Sequence, residues 1–264
     1  MDILKQSLAP ITTEAWHEIN TQARVVFNNV LTARRFVDVD GPKGIGYGGV
    51  NLGRLEIDKD QQQDGVEYGI AQVQSLVEVR KSFSLNTWEL DNAARGAADI
   101  DLGALEEAAR SIAEFEEQAI YLGLDKGCIK GLKASSKHEK LTFPGEHKQI
   151  LQTIVEALTI LQSAFIEGPY KLILGTQKWQ SVQVQAGGYP LKRQIEDLIG
   201  GEIILNPHIE EGFLVPSFGG DFVLTLGQDL SIGYAFHNEQ AVQLYFTESF
   251  AFRTLEPAAV VVFE

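Results

Sequence analysis

Gly44-Ile-Gly-Tyr-Gly-Gly49 spells the G-x-G-x-x-G pattern of dinucleotide sites. That pattern needs a helix to follow, because the helix N-terminus holds the pyrophosphate. Here it runs into Val50-Asn-Leu-Gly-Arg-Leu-Glu-Ile57, whose alternation predicts a strand, so the glycines read as a loop. Glu14-Ala-Trp-His17 has the Glu-x-x-His step that di-iron helix bundles use twice. There is no second copy, and His138, His147, His208 and His237 stand singly, so His17 reads as a solvated helix residue and no metal site is expected. Gly219-Gly-Asp-Phe222 lacks the second acidic residue that a nucleotide-cyclising loop would carry, and reads as a glycine turn before a strand. Cys128 lies between Lys126 and Lys130, which would favour a thiolate, but the plainer expectation is a small, half-buried residue near a helix end. No G-x-S-x-G elbow is present. The expectation is a chain without catalytic residues.

The elements that would carry these residues form an α+β pattern, helices early and strands late. Thr12 is a candidate N-cap for a helix over about 13–33, with Trp16, Ile19, Ala23, Val26, Phe27 and Val30 as its apolar stripe. Residues 34–40 read as a short strand closed by Gly41-Pro42. The runs 50–57 and 66–73 flank a polar segment and predict a long hairpin, which buries too little apolar surface to stand alone. A second helix spans about 101–123, with Leu105, Ala109, Ile112, Ala119 and Ile120 inward, Glu106, Glu107, Glu114 and Glu117 outward, and Gly123 as its cap. A third helix carries Ile150, Leu151, Ile154, Val155, Leu158 and Leu161. Residues 169–175 read as a buried strand, followed by a helix opened by Pro190 and closed by Gly200-Gly201. Strands are then expected at 203–205, 213–215, 222–226, 231–234, 242–252 and 258–263.

Composition narrows the function classes. The chain has 264 residues, 22 Lys+Arg against 36 Asp+Glu and a formal net charge of −14, which argues against a sequence-independent nucleic-acid binder. The lone cysteine excludes an internal disulfide framework. No secretory signal and no apolar run of membrane-spanning length is visible, so a soluble, cytoplasmic protein is expected.

Several segments together resemble the encapsulins (family 1, linocin-like), shell proteins of bacterial and archaeal nanocompartments. They are Leu8-Ala-Pro-Ile-Thr12 with Trp16, Arg34-Arg-Phe-Val-Asp-Val-Asp-Gly-Pro42, Trp88-Glu-Leu-Asp-Asn92 with Arg95-Gly96, Ile166-Glu-Gly-Pro-Tyr170, Gly187-Gly-Tyr-Pro-Leu191, and Gly219-Gly-Asp-Phe222 followed by Leu226-Gly-Gln-Asp-Leu-Ser-Ile-Gly-Tyr234. The resemblance spans essentially the whole chain. It implies an α+β tailed-bacteriophage major capsid (Hong Kong 97 phage-like) fold. The implied parts are an N-terminal helix and start of a peripheral domain over 1–47, an extended arm over 48–81, peripheral domain over 82–133, axial domain over 134–222, and C-terminal peripheral strands over 223–264.

The function implied is self-assembly into an icosahedral shell of sixty copies or a multiple. The shell would enclose a cargo enzyme, a dye-decolourising peroxidase or a ferritin-like protein, through the cargo's C-terminal targeting peptide. By position Phe27, Val30, Leu31, Arg34, Asp38, Asp229, Leu230 and Ile232 would line the peptide's groove, with Asp38 or Asp229 pairing a basic peptide residue. Gln183, Val184, Gln185, Ala186, Gly187 and Gly188 would form the five-fold pore loop. Some relatives carry a His where Gly188 stands, so no imidazole ring is expected there. No cofactor is required, although relatives stack a flavin at positions matching Trp88 and Tyr189. The competing readings are a hydrolase and a phage-derived capsid protein that packages nucleic acid; the missing nucleophile speaks against the first and the acidic chain against the second.

Overall fold

The computed structural model describes residues 3–57, 62–63, 65–183 and 190–264. Its helices are α1 (Thr13–Val30), α2 (Thr87–Ala94), α3 (Gly103–Tyr121), α4 (Leu132–Ser135), α5 (His147–Ser163), α6 (Thr176–Gln183) and α7 (Leu191–Ile199). The strands are β1 (Asp38–Asp40), β2 (Gly49–Glu56), β3 (Gln62–Gln63), β4 (Val66–Glu67), β5 (Ile70–Ser75), β6 (Val77–Asn86), β7 (Tyr170–Leu174), β8 (Ile203–Leu205), β9 (Gly212–Pro216), β10 (Phe222–Leu226), β11 (Ser231–His237), β12 (Ala241–Thr254) and β13 (Val261–Phe263).

The 14-residue β12 is the spine of the larger sheet. Along one side it pairs with β6 over its first ten residues, from Ala241↔Asn86 to Phe250↔Val77. Along the other it pairs first with β11, from Val242↔His237 to Thr247↔Ser231, and then with β10, from Phe250↔Leu226 to Thr254↔Phe222. β1 adds in parallel to β10. Helices α1 and α3 cover this sheet, burying Ile19, Ala23, Leu105 and Ile112 against Phe83, Leu244 and Phe246. α1 starts where the sequence predicts, because Thr12 Oγ1 accepts from Ala15 N at 3.2 Å. α3 stops at Gly123, whose φ of +99° lets its N–H reach Gln118 O; a Cβ there would sit 3.0 Å from the Ile129 carbonyl oxygen.

The smaller sheet has the order β13-β9-β7-β8, with β7 and β8 parallel and the other pairs antiparallel. α5 and α7 pack on it through Ile150, Ile154, Leu161, Ile195 and Ile199. An aromatic core joins the two sheets: Phe36 meets Phe222 edge-on at 6.1 Å, and Tyr121 meets Phe213 at 5.2 Å.

The last strand, β13, pairs with β9 in the smaller sheet, with Phe263 buried beside Leu174, Leu214 and Phe143. Two sequence expectations change. Residues 34–37 are a 3-10 turn and its exit, not strand, since Phe36 N and Val37 N both bond back to Ala33 O. Glu117 does not face out: it and Glu116 are fully buried, because α3 is covered on both flanks of its apolar stripe. Helices α2 and α6 add to the predicted elements, α2 opened by Asn86, whose Oδ1 accepts from Trp88 N at 2.8 Å.

The hairpin forms from β2 and β5, paired from Gly49↔Ser75 to Glu56↔Ile70 and extended by β3 and β4. Leu55, Ile57, Val66, Ile70 and Val73 on it are exposed. From Val77 onward the chain belongs to the larger sheet, so the free-standing part ends near Ser75.

Candidate functional site

The motifs with chemical lettering resolve as structure. Gly44 to Gly48 form the loop into β2. Gly219 and Gly220, at φ +115° and +89°, make the turn into β10, and Gly220 N donates to Asp38 Oδ2 at 2.7 Å. His17 is exposed on α1. Cys128 is exposed, contrary to the half-buried expectation, because its backbone turns at φ +53° to end a 3-10 turn. Among the described residues no group of three or more His, Cys, Asp or Glu side chains could hold a metal ion.

One concavity on the larger sheet is a groove of about 410 Å³ between α1 and the start of β11. Asn20, Ala23, Arg24 and Phe27 form its helical wall, and Leu230, Ser231 and Ile232 its strand wall, with Phe246 of β12 beneath. Phe27 and Phe246 meet edge-on at 5.3 Å. The N-terminal segment closes one end: Tyr234 N donates to Leu4 O at 2.8 Å, and Gln6 Nε2 donates to Ile232 O at 2.7 Å. Of the residues placed here from sequence, Phe27, Leu230 and Ile232 line the groove. Val30 and Leu31 lie under it, packed on Ala113. Asp38 is elsewhere, on β1 beside the Gly220 turn. Sequence reasoning missed Asn20, Ala23 and Arg24, which sit three to seven residues before Phe27 on the same helix face, so the signal was helical spacing itself.

Arg34 and Asp229 are part of an ion cluster just beyond the groove. Arg34 Nε lies 2.9 Å from Glu116 Oε1, Nη2 lies 2.5 Å from Glu116 Oε2 and 2.6 Å from Glu248 Oε1, and Nη1 lies 2.9 Å from Asp229 Oδ1. Burial opposes the charge on Arg34, but hydrogen bonding to Glu116 and the charges of Glu116, Glu248 and Asp229 outweigh it, so its pKa rises. Burial, then the nearby Glu116 charge, pushes the Glu248 carboxyl well above the usual carboxylate range. Asp229 alone among the three carboxylates is exposed, at 43%. The missed signal was Thr247-Glu248-Ser249, a polar triplet inside an apolar strand.

A second buried polar network lies one residue along α3. Glu117 accepts from Thr32 Oγ1, from Ala33 N at 2.9 Å and from Asn206 Nδ2 at 2.9 Å, while the Tyr121 hydroxyl lies 2.8 Å from Thr32 Oγ1. Burial raises the Glu117 pKa to about 8 against these hydrogen bonds. Asn206 follows β8, so the network ties the α1 exit and α3 to the smaller sheet.

Of the expected pore loop, Gln183 ends α6 and is exposed, and residues 184–188 lie outside the described residues. Trp88 is 66% exposed on the first turn of α2; Tyr189 lies outside the described residues.

A spine strand flanked by a sheet-covering long helix, a second α/β unit and an extended hairpin define a capsid-type subunit. Solved structures of that class share the fold: a virus-like particle from Pyrococcus furiosus superposes with a TM-score of 0.69 at 17% identity, covering 96% of this chain and 100% of that one. The Mycobacterium phage Bobi gives 0.58 at 15% identity, covering 89% and 90%. The chain belongs to the encapsulin shell-protein family: the family model described as an encapsulating protein for peroxidase matches residues 1–251. It is 38% identical to the type 1 encapsulin shell protein of Rhodospirillum rubrum over 99% of this chain and 96% of that protein. It is 37% identical to that of Rhodococcus erythropolis, over 99% of each. The chain is therefore a structural shell protein, not an enzyme, that self-assembles into a capsid-like nanocompartment.

Proposed function

We propose that the shell built by this chain, in sixty copies, encloses a cytoplasmic cargo enzyme by holding the cargo's C-terminal peptide in the groove between α1 and β11. The groove itself carries the reading: an apolar floor of Phe27, Leu230, Ile232 and Phe246, with the half-exposed Asp229 just beyond it. Small apolar peptide side chains would seat on that floor, and a basic one would pair with Asp229, whose Oδ1 already accepts from Arg34. Asp38, turned to Gly220, takes no part in this. The family description favours a peroxidase over a ferritin-like protein as cargo.

The test is co-expression with a fluorescent reporter carrying a C-terminal tail of small apolar and basic residues. Particles that retain the reporter through size exclusion, and lose it when the tail is removed, support the proposal. Particles that exclude the tailed reporter overturn it.

The hairpin is proposed to reach over a neighbouring subunit, which would cover its exposed apolar residues. The loop from Gln183 to Gly188 is proposed to line the five-fold opening. Trp88 presents an open indole face on which a flavin ring could stack; purified particles absorbing near 450 nm, and losing that band in Trp88→Ala, would support that assignment. A high 260 nm absorbance that survives nuclease would favour packaged nucleic acid over an enzyme cargo.

A further inference from the structure

Phe165 and Phe218 break the same two rules at neighbouring places. Each holds a left-handed backbone, at φ +61° and +60°, a region that bulky L side chains rarely enter. Each also exposes its ring, by 93% and 50%. Phe165 follows α5 at the position where a helix ends most easily on glycine. Its N–H bonds to Gln162 O and that of Ile166 to Leu161 O, both at 3.0 Å, and the Tyr170 hydroxyl donates to Ile166 O at 2.7 Å. Phe218 lies in the loop from β9 to β10, with its N–H on Phe36 O at 2.9 Å. The two loops flank one residue pair of the smaller sheet, Tyr170↔Pro216, and touch where Ser217 N donates to Pro169 O at 2.9 Å.

These backbone hydrogen bonds hold both residues in the left-handed region. The subunit's own fold gains little from a phenylalanine at Phe165, since glycine would relieve the backbone and remove exposed apolar surface, and Phe218 leaves half its surface outside the fold. The rings therefore answer to something outside the subunit. We infer that Phe165 and Phe218 form an aromatic anchor that a second copy of this chain covers in the shell. A second copy brings matching surface, because its hairpin exposes Leu55, Ile57, Ile70 and Val73. The inference rests on the shell reading and assigns one of its interfaces.

The experiment expresses the full chain alone, without cargo, as wild type, Phe165→Gly, Phe218→Gly, the double variant and Phe165→Asn. Particles are counted by negative-stain microscopy after serial dilution, and folding is followed by circular dichroism. Wild-type particles establish the shell independently; their absence would undo the shell reading and not this inference alone. Expected are glycine variants that fold as well as wild type, while the lowest concentration sustaining particles rises roughly tenfold in the double variant. Asn, polar but at ease in a left-handed backbone, should weaken particles as glycine does. Variant particles as dilution-resistant as wild type would overturn the anchor. So would glycine variants that fail to fold, because the rings would then serve the subunit's own structure.

Discussion

Glu248 Oε1 lies 2.6 Å from Arg34 Nη2, at the point along β12 where its partner strand changes from β11 to β10. The handover leaves a gap in the ladder, bridged by Gly227 N to Ser249 O and Ser249 N to Gln228 O, each at 2.8 Å. Into that gap the α1 exit sends one guanidinium, which holds α3 through Glu116, β12 through Glu248 and the β10–β11 turn through Asp229.

Removing Arg34 strands two fully buried carboxyl groups. Breaking such a cluster from one side costs about 3–5 kcal/mol, or roughly 6–20 °C of melting temperature in a chain of this size. Arg34→Ala should show that loss in thermal denaturation of assembled particles. Glu248→Gln should be mild, because Glu248 already tends to hold a proton. An Arg34→Ala melting temperature within a degree or two of wild type would refute the cluster's structural role.

Glu117 sets a pH dependence whose direction follows from its surroundings. Its folded pKa of about 8 lies above the ordinary 4.5, so the native chain binds more protons than the unfolded chain between those values. Its contribution is complete below about pH 4.5 and is lost as pH rises through about 8. Each tenfold difference in proton affinity between the folded and unfolded chain is worth roughly 1.4 kcal/mol. Glu117→Gln keeps the shape and cannot ionise. The difference in melting temperature between Glu117→Gln and wild type should therefore grow from pH 5 to pH 9; a difference that stays flat over that range would contradict the assignment.

The sequence made this half visible. Periodicity identified α1, α3, α5, α7 and most late strands, because their apolar faces meet the core at regular spacing. It misread Glu117, since a glutamate at the edge of an apolar stripe looks solvated until a third layer, here Asn206 after β8, closes over it. It likewise joined residues 34–37 to a strand: Val37 and Val39 alternate with Asp38 and Asp40 as in a strand, while Ala33 O draws the chain before them into a turn. The groove was legible in part, through Phe27, Leu230 and Ile232. Arg34 instead joins Glu116 and Glu248, 82 and 214 positions distant, which no local pattern reveals.

The groove's proposed role can be separated from assembly by filling it. Asn20 stands exposed on the α1 wall, and its side chain bonds only its own helix, Nδ2 to Trp16 O at 2.8 Å. Asn20→Trp places an indole over the floor without touching the core. The expected result is normal particles with cargo loading reduced at least about tenfold in the tailed-reporter assay. Loading equal to wild type would move the docking site elsewhere on the subunit.

The hairpin offers the complementary separation, assembly from folding. Its arms bury little beyond Val50 at the base, while Leu55, Ile57, Ile70 and Val73 stand in solvent, so a subunit without them keeps both sheets and the aromatic core between them. Joining Leu52 to Gln72 through Asn-Gly preserves the Asn51↔Val73 pair and closes the arms with a tight turn suited to antiparallel strands. Circular dichroism should report unchanged helix content, and size exclusion should place the shortened chain at low mass, because the surface that a neighbour must cover is gone. Particles of wild-type diameter from the shortened chain would show that the arm is dispensable, and with it the hairpin surface inferred to meet Phe165 and Phe218.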